Sequence, residues 1–216
     1  MKLDFLTDKT KLLFERFSSE SFFNDYTLVG GTALSLQIEH RHSEDLDFIF
    51  DGKFLKINSI KKFLDKNFKG NYKILKQDND HQIDFIVDDV KVTFFTSDSI
   101  ALNFSVREHS QKFENINIAT VEIISVLKIN TLSHRNTIRD YYDLYFISKY
   151  KIPLEKIFEM SKKMLPHLAD ITYTETIVYV DELNENSISE HLHPKEIITK
   201  SEISNYFTKE LKKIYN

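Results

Sequence analysis

Only four of the 216 residues are glycine, and two of the four are adjacent, Gly30 and Gly31. Glycine takes backbone conformations closed to other residues and lets other groups approach the main chain. An isolated pair in so glycine-poor a chain marks a turn with a steric job. Thr27-Leu28-Val29 before it reads as a short strand, and Thr32 to Glu39 after it, with Ala33, Leu34 and Leu36, reads as a helix. A strand–Gly-Gly–helix unit leaves the backbone N–H groups of a helix start pointing outward, a natural cradle for phosphate, to which Thr32 adds a hydroxyl donor. Farther on, Asp45-Leu46-Asp47-Phe48 opens a second strand running to Phe50. Residues i and i+2 of a strand share a face, so Asp45 and Asp47 converge. Converging carboxylates repel unless a cation lies between them, and hard oxygen ligands suit Mg²⁺. A phosphate cradle and a carboxylate pair in one supersecondary unit point to nucleoside triphosphate chemistry. A P-loop is excluded, because no Gly-Lys-Ser/Thr occurs here.

Around this unit the first half of the chain alternates between the two periodicities. Residues 7 to 24 carry a broad apolar stripe (Leu12, Leu13, Phe14, Phe17, Phe22, Phe23) and predict a helix, and Asn58 to Phe68 predicts a second, amphipathic one. Tyr72 to Leu75 reads as a strand. Residues 81–87 and 90–95 flank Asp88-Asp89, a two-residue hairpin turn, and Ile116 to Ala119 is another strand. Asp98 is placed to cap a helix over Ser99 to Leu102. After Thr120 the periodicity is helical: Val121–Leu132, Asn136–Ser148, Leu154–Met164 after Pro153, and a last helix with Ile203, Phe207, Leu211 and Ile214 buried. Asn184 to Lys195 reads as a loop. The expected class is α+β, a mixed sheet flanked by helices over residues 1–119, with a helical region over 120–216 that completes an active-site cleft between the two.

Composition narrows the function. A net charge of −4 disfavours a protein that coats polyanions, though it averages over any local basic cleft. The absence of cysteine excludes disulfides, thiol catalysis and cysteine metal sites. The eight histidines show no zinc spacing. No apolar run reaches the ~18 residues of a membrane span, and the charged first turn is no signal peptide, so a cytoplasmic protein without membrane contact is expected.

The helical half holds a second motif. Lys128, Arg135, Arg139 and Asp143 are spaced seven, four and four apart, with Asp140 beside Arg139. On one continuous helix they lie within roughly 80° of one another, a stripe of exposed cations that contributes little to folding. Such cations suit a metal-bound triphosphate, arginine bidentately and lysine as a point charge. The other reading is a salt-laced helix face, Arg139 to Asp143 being an i,i+4 pair.

Together the motifs carry a resemblance. Gly30-Gly31-Thr32, a spacer and Asp45-Leu46-Asp47 resemble the signature of the polymerase-β-like nucleotidyltransferase superfamily. Gly30-Gly31-Thr32-Ala33-Leu34 with His40-Arg41-His42-Ser43-Glu44-Asp45-Leu46-Asp47 looks more specifically like the AbiEii/AbiGii-type toxin nucleotidyltransferases, and Lys128, Arg135, Arg139, Asp140 and Asp143 fill that family's downstream pattern. The resemblance implies a nucleotidyltransferase fold and transfer of a nucleoside monophosphate from an NTP to an acceptor hydroxyl, with release of pyrophosphate. It implies two Mg²⁺ ions on Asp45 and Asp47, NTP binding by Gly30, Gly31, Thr32, Lys128, Arg135 and Arg139, a catalytic role for Asp45, Asp47 and Lys128, and support from Asp140 and Asp143. It also implies a toxin of a toxin–antitoxin or abortive-infection system, with a cognate antitoxin and, in some relatives, the 3′ end of tRNA as acceptor. The superfamily carries a third carboxylate on a neighbouring strand, where this chain has Thr93. If Val87 pairs with Val90, Asp84 lies opposite Thr93 and is the candidate third metal ligand, or else an ordinary polar residue of an alternating strand. Two other classes stay open, a small-molecule nucleotidyltransferase of the antibiotic-modifying kind and a catalytically silent nucleotide-binding module.

Overall fold

Eighteen phenylalanines in 216 residues need a broad apolar surface to pack on, and a sheet supplies it. A computed structural model describes residues 1–215. The chain divides into two compact units, Met1–Thr120 and a second that starts at Val121.

The first unit runs α1 (Asp8–Ser18), β1 (Thr27–Val29), α2 (Gly30–Ile38), β2 (Leu46–Phe50), α3 (Ile57–Phe68), β3 (Tyr72–Asp78), β4 (Gln82–Val87), β5 (Val90–Thr96), β6 (Ser110–Phe113) and β7 (Ile116–Ala119). Its seven strands form one mixed sheet in the order β3-β4-β5-β2-β1-β7-β6. β2 runs antiparallel to β1 and parallel to β5, and β1 runs parallel to β7. The expected hairpin forms in the expected register, Val87 opposite Val90 and Asp84 opposite Thr93. Asp88 and Asp89 both take positive φ, 48° and 64°, as a primed turn between right-twisted strands requires.

One sheet face holds the aromatic core. Phe48 opposes Phe94 across β2 and β5, and both meet Phe23, at 4.9 and 6.3 Å between ring centroids. Phe17 of α1 stacks on Phe23 at 4.3 Å and reaches Phe63 and Phe68 of α3 at 6.1 and 5.8 Å. The helix expected over 7–24 stops at Ser18. There the hydroxyls of Ser18 and Ser19 bond back to the carbonyls of Glu15 and Arg16, competing with the helix ladder. A 3₁₀ turn, Ser21–Asp25, follows and delivers Phe23 to the core. Asp98 opens only a 3₁₀ turn, Asp98–Ile100. β3 runs three residues past its expected end, through a bulge between Ile74 and Lys76. β6, an edge strand of mostly exposed polar residues, has no alternating pattern to announce it.

The second unit contains α4 (Val121–Leu132), α5 (Ile138–Tyr150), α6 (Leu154–Met164), α7 (Asp170–Val178) and α8 (Lys200–Tyr215). α4 buries residues all round its circumference, from Ile123 to Leu132. α5 starts where Thr137 caps the Asp140 amide. α7 is rich in β-branched residues and buries only Tyr173 and Ile177, which is why no stripe predicted it. Just past the expected loop, the segment leading to α8 is strapped to α5 through Glu196, whose carboxylate accepts from Lys149 at 3.1 Å and Tyr145 at 3.3 Å. No helix among the described residues is long and apolar enough to cross a membrane.

Phe17 is fully buried within this ring cluster. Phe17→Ala should lower unfolding stability by about 3–5 kcal/mol, whereas Leu12→Ala, at a position 68% exposed, should stay within about 0.5 kcal/mol. Urea unfolding followed by circular dichroism measures both.

Candidate active site

The glycine pair is where a strand, a helix and two charged side chains meet. Gly30 has φ +72° and begins α2, whose N-cap, Val29, offers no side-chain acceptor to the first turn. Val29 lies directly opposite Asp47 in the β1–β2 ladder, so the Asp47 side chain stands beside that turn. A Cβ on Gly30 would sit 2.8 Å from Asp47 Oδ2. A Cβ on Gly31 would run into Arg41 Nη2 and lie 3.3 Å from both Arg41 Cζ and Ser43 Oγ. Each glycine is therefore required by a different charged group, one anionic and one cationic. The two conditions fix where a carboxylate and a guanidinium can lie relative to the helix start.

The connection between α2 and β2 is sewn down by polar contacts. The Thr32 hydroxyl donates to the Asp45 carbonyl and lies 2.8 Å from the Ser43 hydroxyl, and Arg41 Nη1 donates to the His42 carbonyl at 2.9 Å. Thr32, Arg41 and Ser43 are all buried. Thr32 was expected to turn its hydroxyl outward to a phosphate. With its one proton on a main-chain carbonyl, it instead ties the helix start to the carboxylate strand. Asp45 falls one residue before β2, and both Asp45 and Asp47 are half-buried. In the sequence Arg41 is marked only as part of a family pattern. The signal that could have placed it here is arginine scarcity, one of five in the chain, four residues before Asp45.

Asp84 occupies the expected register. Asp47 opposes Thr93, and Thr93 opposes Asp84, one row on one sheet face. Strand spacing of about 4.8 Å puts roughly 10 Å between the Asp47 and Asp84 backbones. Asp84 is 8% exposed and accepts from Gln82 Nε2 at 2.8 Å. The described residues contain no cluster of three or more His, Asp or Glu side chains placed to hold a metal ion. The structure thus aligns Asp84 with Asp47 without gathering it into a ready-made three-carboxylate site.

The downstream motif is divided between two helices rather than lying along one. Lys128 is on α4, Arg139, Asp140 and Asp143 are on α5, and Arg135 is in the link between them. The expected stripe of exposed cations is corrected accordingly. The Lys128 side chain is 8% exposed, with Nζ 2.8 Å from Asp140 Oδ1 and 2.6 Å from Asp143 Oδ2. Arg135 is exposed and approaches Asp140 Oδ2 at 3.4 Å, and Arg139 is exposed. Burial alone would raise the Asp140 pKa. Lys128 and Arg135 beside it, with hydrogen bonds from Lys128 and Thr137, hold it below the ordinary carboxylate range.

Two outcomes follow. Gly31→Ala should displace the Arg41 guanidinium and lower kcat/KM for nucleotidyl transfer by roughly 100-fold, the effect of an ångström-scale misplacement. Adding Arg41→Ala should recover part of that loss, because the clashing atoms are gone. Lys128→Met should remove about 3–5 kcal/mol of stability at pH 7, by taking the shared buried cation away from two buried carboxylates. Asp140 has a depressed folded pKa, so it stabilises above the ordinary carboxylate range and loses that contribution as pH falls. The Lys128→Met deficit should therefore shrink as Asp140 protonates, which urea melts at pH 7 and pH 4 would reveal.

Comparison with known proteins bears on the same residues. The chain matches the family model described as nucleotidyl transferase AbiEii toxin, type IV TA system, over residues 11–202. It is 28% identical over 184 residues to an uncharacterized protein of Aquifex aeolicus (strain VF5), covering 83% of this chain and 85% of that one. In fold it is similar to MenT4, a nucleotidyltransferase toxin of Mycobacterium tuberculosis H37Rv, with a TM-score of 0.55 and 12% identity, covering 94% of this chain and 84% of that one. A crystal structure from H. pylori, described as a candidate nucleotidyltransferase, gives a TM-score of 0.51 and 18% identity, covering 94% and 95% of the two chains. The matched span takes in the glycine turn, the carboxylate strand and the Lys128-to-Asp143 cluster, and on it the chain belongs to the AbiEii nucleotidyltransferase toxin family.

Proposed function

We propose that this nucleotidyltransferase moves a nucleoside monophosphate from an NTP to an acceptor hydroxyl on RNA, a tRNA 3′ end being the leading candidate, and that it acts as the toxin partnered by a cognate antitoxin. The observation that carries the chemistry is the close approach of Asp47 Oδ2 to the Gly30 backbone at the start of α2. It sets a carboxylate beside main-chain N–H groups that no side chain caps. An NTP needs both, a cation held by carboxylate oxygen and donors for its phosphates.

In this reading Asp45 and Asp47 hold Mg²⁺, and their hard oxygen donors fit it. Mg²⁺, when bound, neutralises charge on the phosphates and lowers the pKa of the attacking hydroxyl. Asp84 supports the row from two strands away and is the third ligand if a second ion is held. Gly30 and Gly31 present the first-turn N–H groups to the phosphates, while Thr32 and Arg41 keep the turn against the carboxylate strand. Lys128, fixed in direction by Asp140 and Asp143, and the arginines Arg135 and Arg139 are the cations assigned to the triphosphate, where arginine forks suit phosphate oxygens. The toxin acts in the cytoplasm, where NTP and tRNA are found.

The test is incubation with each labelled NTP, Mg²⁺ and total tRNA. Labelled RNA is the expected result. Pyrophosphate release with small-molecule acceptors alone would instead make this an antibiotic-modifying type of enzyme, and NTP binding with no turnover would make it a silent module. Asp45→Asn and Asp47→Asn should each abolish transfer and leave the melting temperature within a few degrees. Near-wild-type activity in either would remove the carboxylate pair from the mechanism.

A further inference from the structure

Between Lys53 and Lys76 the chain carries eight lysines against one carboxylate, Asp65, a net of +7 in a protein whose overall charge is −4. Seven of the eight lysines are exposed and Lys61 is half-buried. Among the described residues, Lys56 alone of the eight has a carboxylate within 4 Å, Asp25 at 3.9 Å. These cations are not spent on internal ion pairs.

Their placement is ordered. Lys62, Lys66 and Lys69 recur at i, i+4 and i+7 along α3 and its C-cap, a single line with steps of about 6 and 4.5 Å. Lys73 and Lys76 continue it on β3. Three apart in a regular strand, they would point to opposite faces. The bulge between Ile74 and Lys76 prevents this. Lys73 opposes Ile86 and Lys76 opposes Asp84, so both lie on the Asp84 face. That face carries the row Lys76–Asp84–Thr93–Asp47, which runs from the sheet edge to the candidate active site over three strand spacings, roughly 14 Å. Beside the lysines Phe54 is 55% exposed, with Lys53 Nζ 5.4 Å from its ring centroid.

We infer that this lysine strip is the docking surface for the acceptor, and that the acceptor is a nucleic acid strand. Its phosphates lie along Lys62, Lys66, Lys69, Lys73 and Lys76, and its terminal hydroxyl is directed from that edge toward Asp47. The inference rests on the assignment of Asp45 and Asp47 to the transfer reaction. Cations at steps of a few ångströms match a charged backbone, and an exposed ring offers a face on which a base can stack. A lipid headgroup plane fits less well. α3 packs on the aromatic face of the sheet while Lys73 and Lys76 lie on the opposite face, so the strip bends around the β3 edge instead of lying flat.

The experiment uses the full chain without NTP and follows binding of fluorescently labelled total tRNA by anisotropy as a function of salt. The variants are the triple Lys62→Ala/Lys66→Ala/Lys69→Ala and the double Lys73→Ala/Lys76→Ala. Each should weaken tRNA binding at least tenfold and flatten the salt dependence by about 0.7 in log–log slope for every phosphate that is no longer neutralised. NTP affinity by calorimetry and the melting temperature should be unchanged, and in turnover the KM for tRNA should rise while that for NTP does not. Unchanged tRNA affinity and salt slope in both variants would overturn the inference, as would binding to phosphatidylserine vesicles without binding to tRNA. The two levels separate cleanly. tRNA held by the strip without transfer, in a protein whose Asp47→Asn variant binds equally well, would sink the transfer reading and keep the docking surface. Transfer to RNA by both lysine variants at wild-type KM would sink the docking surface alone.

Discussion

The candidate active site depends on one close approach, the first turn of α2 against the start of β2. Main chain, carboxylate and guanidinium share a space that a Cβ at either glycine could enter only by displacing the Asp47 or Arg41 side chain, and the buried Thr32 hydroxyl holds the two segments at that distance. The arrangement is electrostatically consistent. An anionic side chain at a helix N-terminus sits at the positive end of the helix dipole, and a guanidinium one residue along limits the repulsion a triphosphate would meet there. Loosening this joint moves the Asp45 and Asp47 carboxylates and the first-turn amides of α2 relative to each other, and the proposed reaction needs them together.

The second polar feature obeys a different rule. Lys128 lies between two carboxylates that are themselves almost wholly buried, so its charge is structural as well as chemical. Removing one member of such a group leaves buried charge less compensated than before, and the register of α4 against α5 is set by the requirement that all three meet. A cation fixed this way is pre-oriented, whereas Arg135 and Arg139 remain on exposed, adaptable side chains. The helical unit thus offers one buried and two exposed cations.

Much of this was legible in the residues. Scarcity was the best guide. Four glycines and five arginines in the chain make the placement of Gly30-Gly31, Arg135 and Arg139 informative, and the hairpin register followed from two alternating runs around a two-residue turn. What the sequence concealed was three-dimensional. The Lys128-to-Asp143 stripe holds only for one continuous helix, and the break that the sequence already places after Leu132 turns Lys128 inward to meet side chains of α5. Thr32 looked like a ligand because its hydroxyl is chemically able to be one, and only packing shows that the proton is taken. The bulge in β3 depends on pairing with β4 and leaves no mark in the run from Tyr72 to Asp78, so the facing of Lys73 and Lys76 could not be derived from spacing. Arg41 was visible as a residue but not as the reason Gly31 must be glycine.

The position of β1 in the sheet bears on how the chain comes into being. This three-residue strand pairs on one side with β2, about twenty residues later, and on the other with β7, about ninety residues later. At a synthesis rate of about 5–20 residues per second, the stretch from Phe50 to Asn117 takes roughly 3–13 s to make. For that time the glycine turn and both aspartates already exist on a chain whose strand β1 has one open hydrogen-bonding edge. A chain released before Asn117 would carry the whole carboxylate motif on an unfinished sheet, a template for edge-to-edge aggregation rather than a working enzyme. The last strand to arrive thus decides whether a ribosome delivers a toxin or an insoluble fragment.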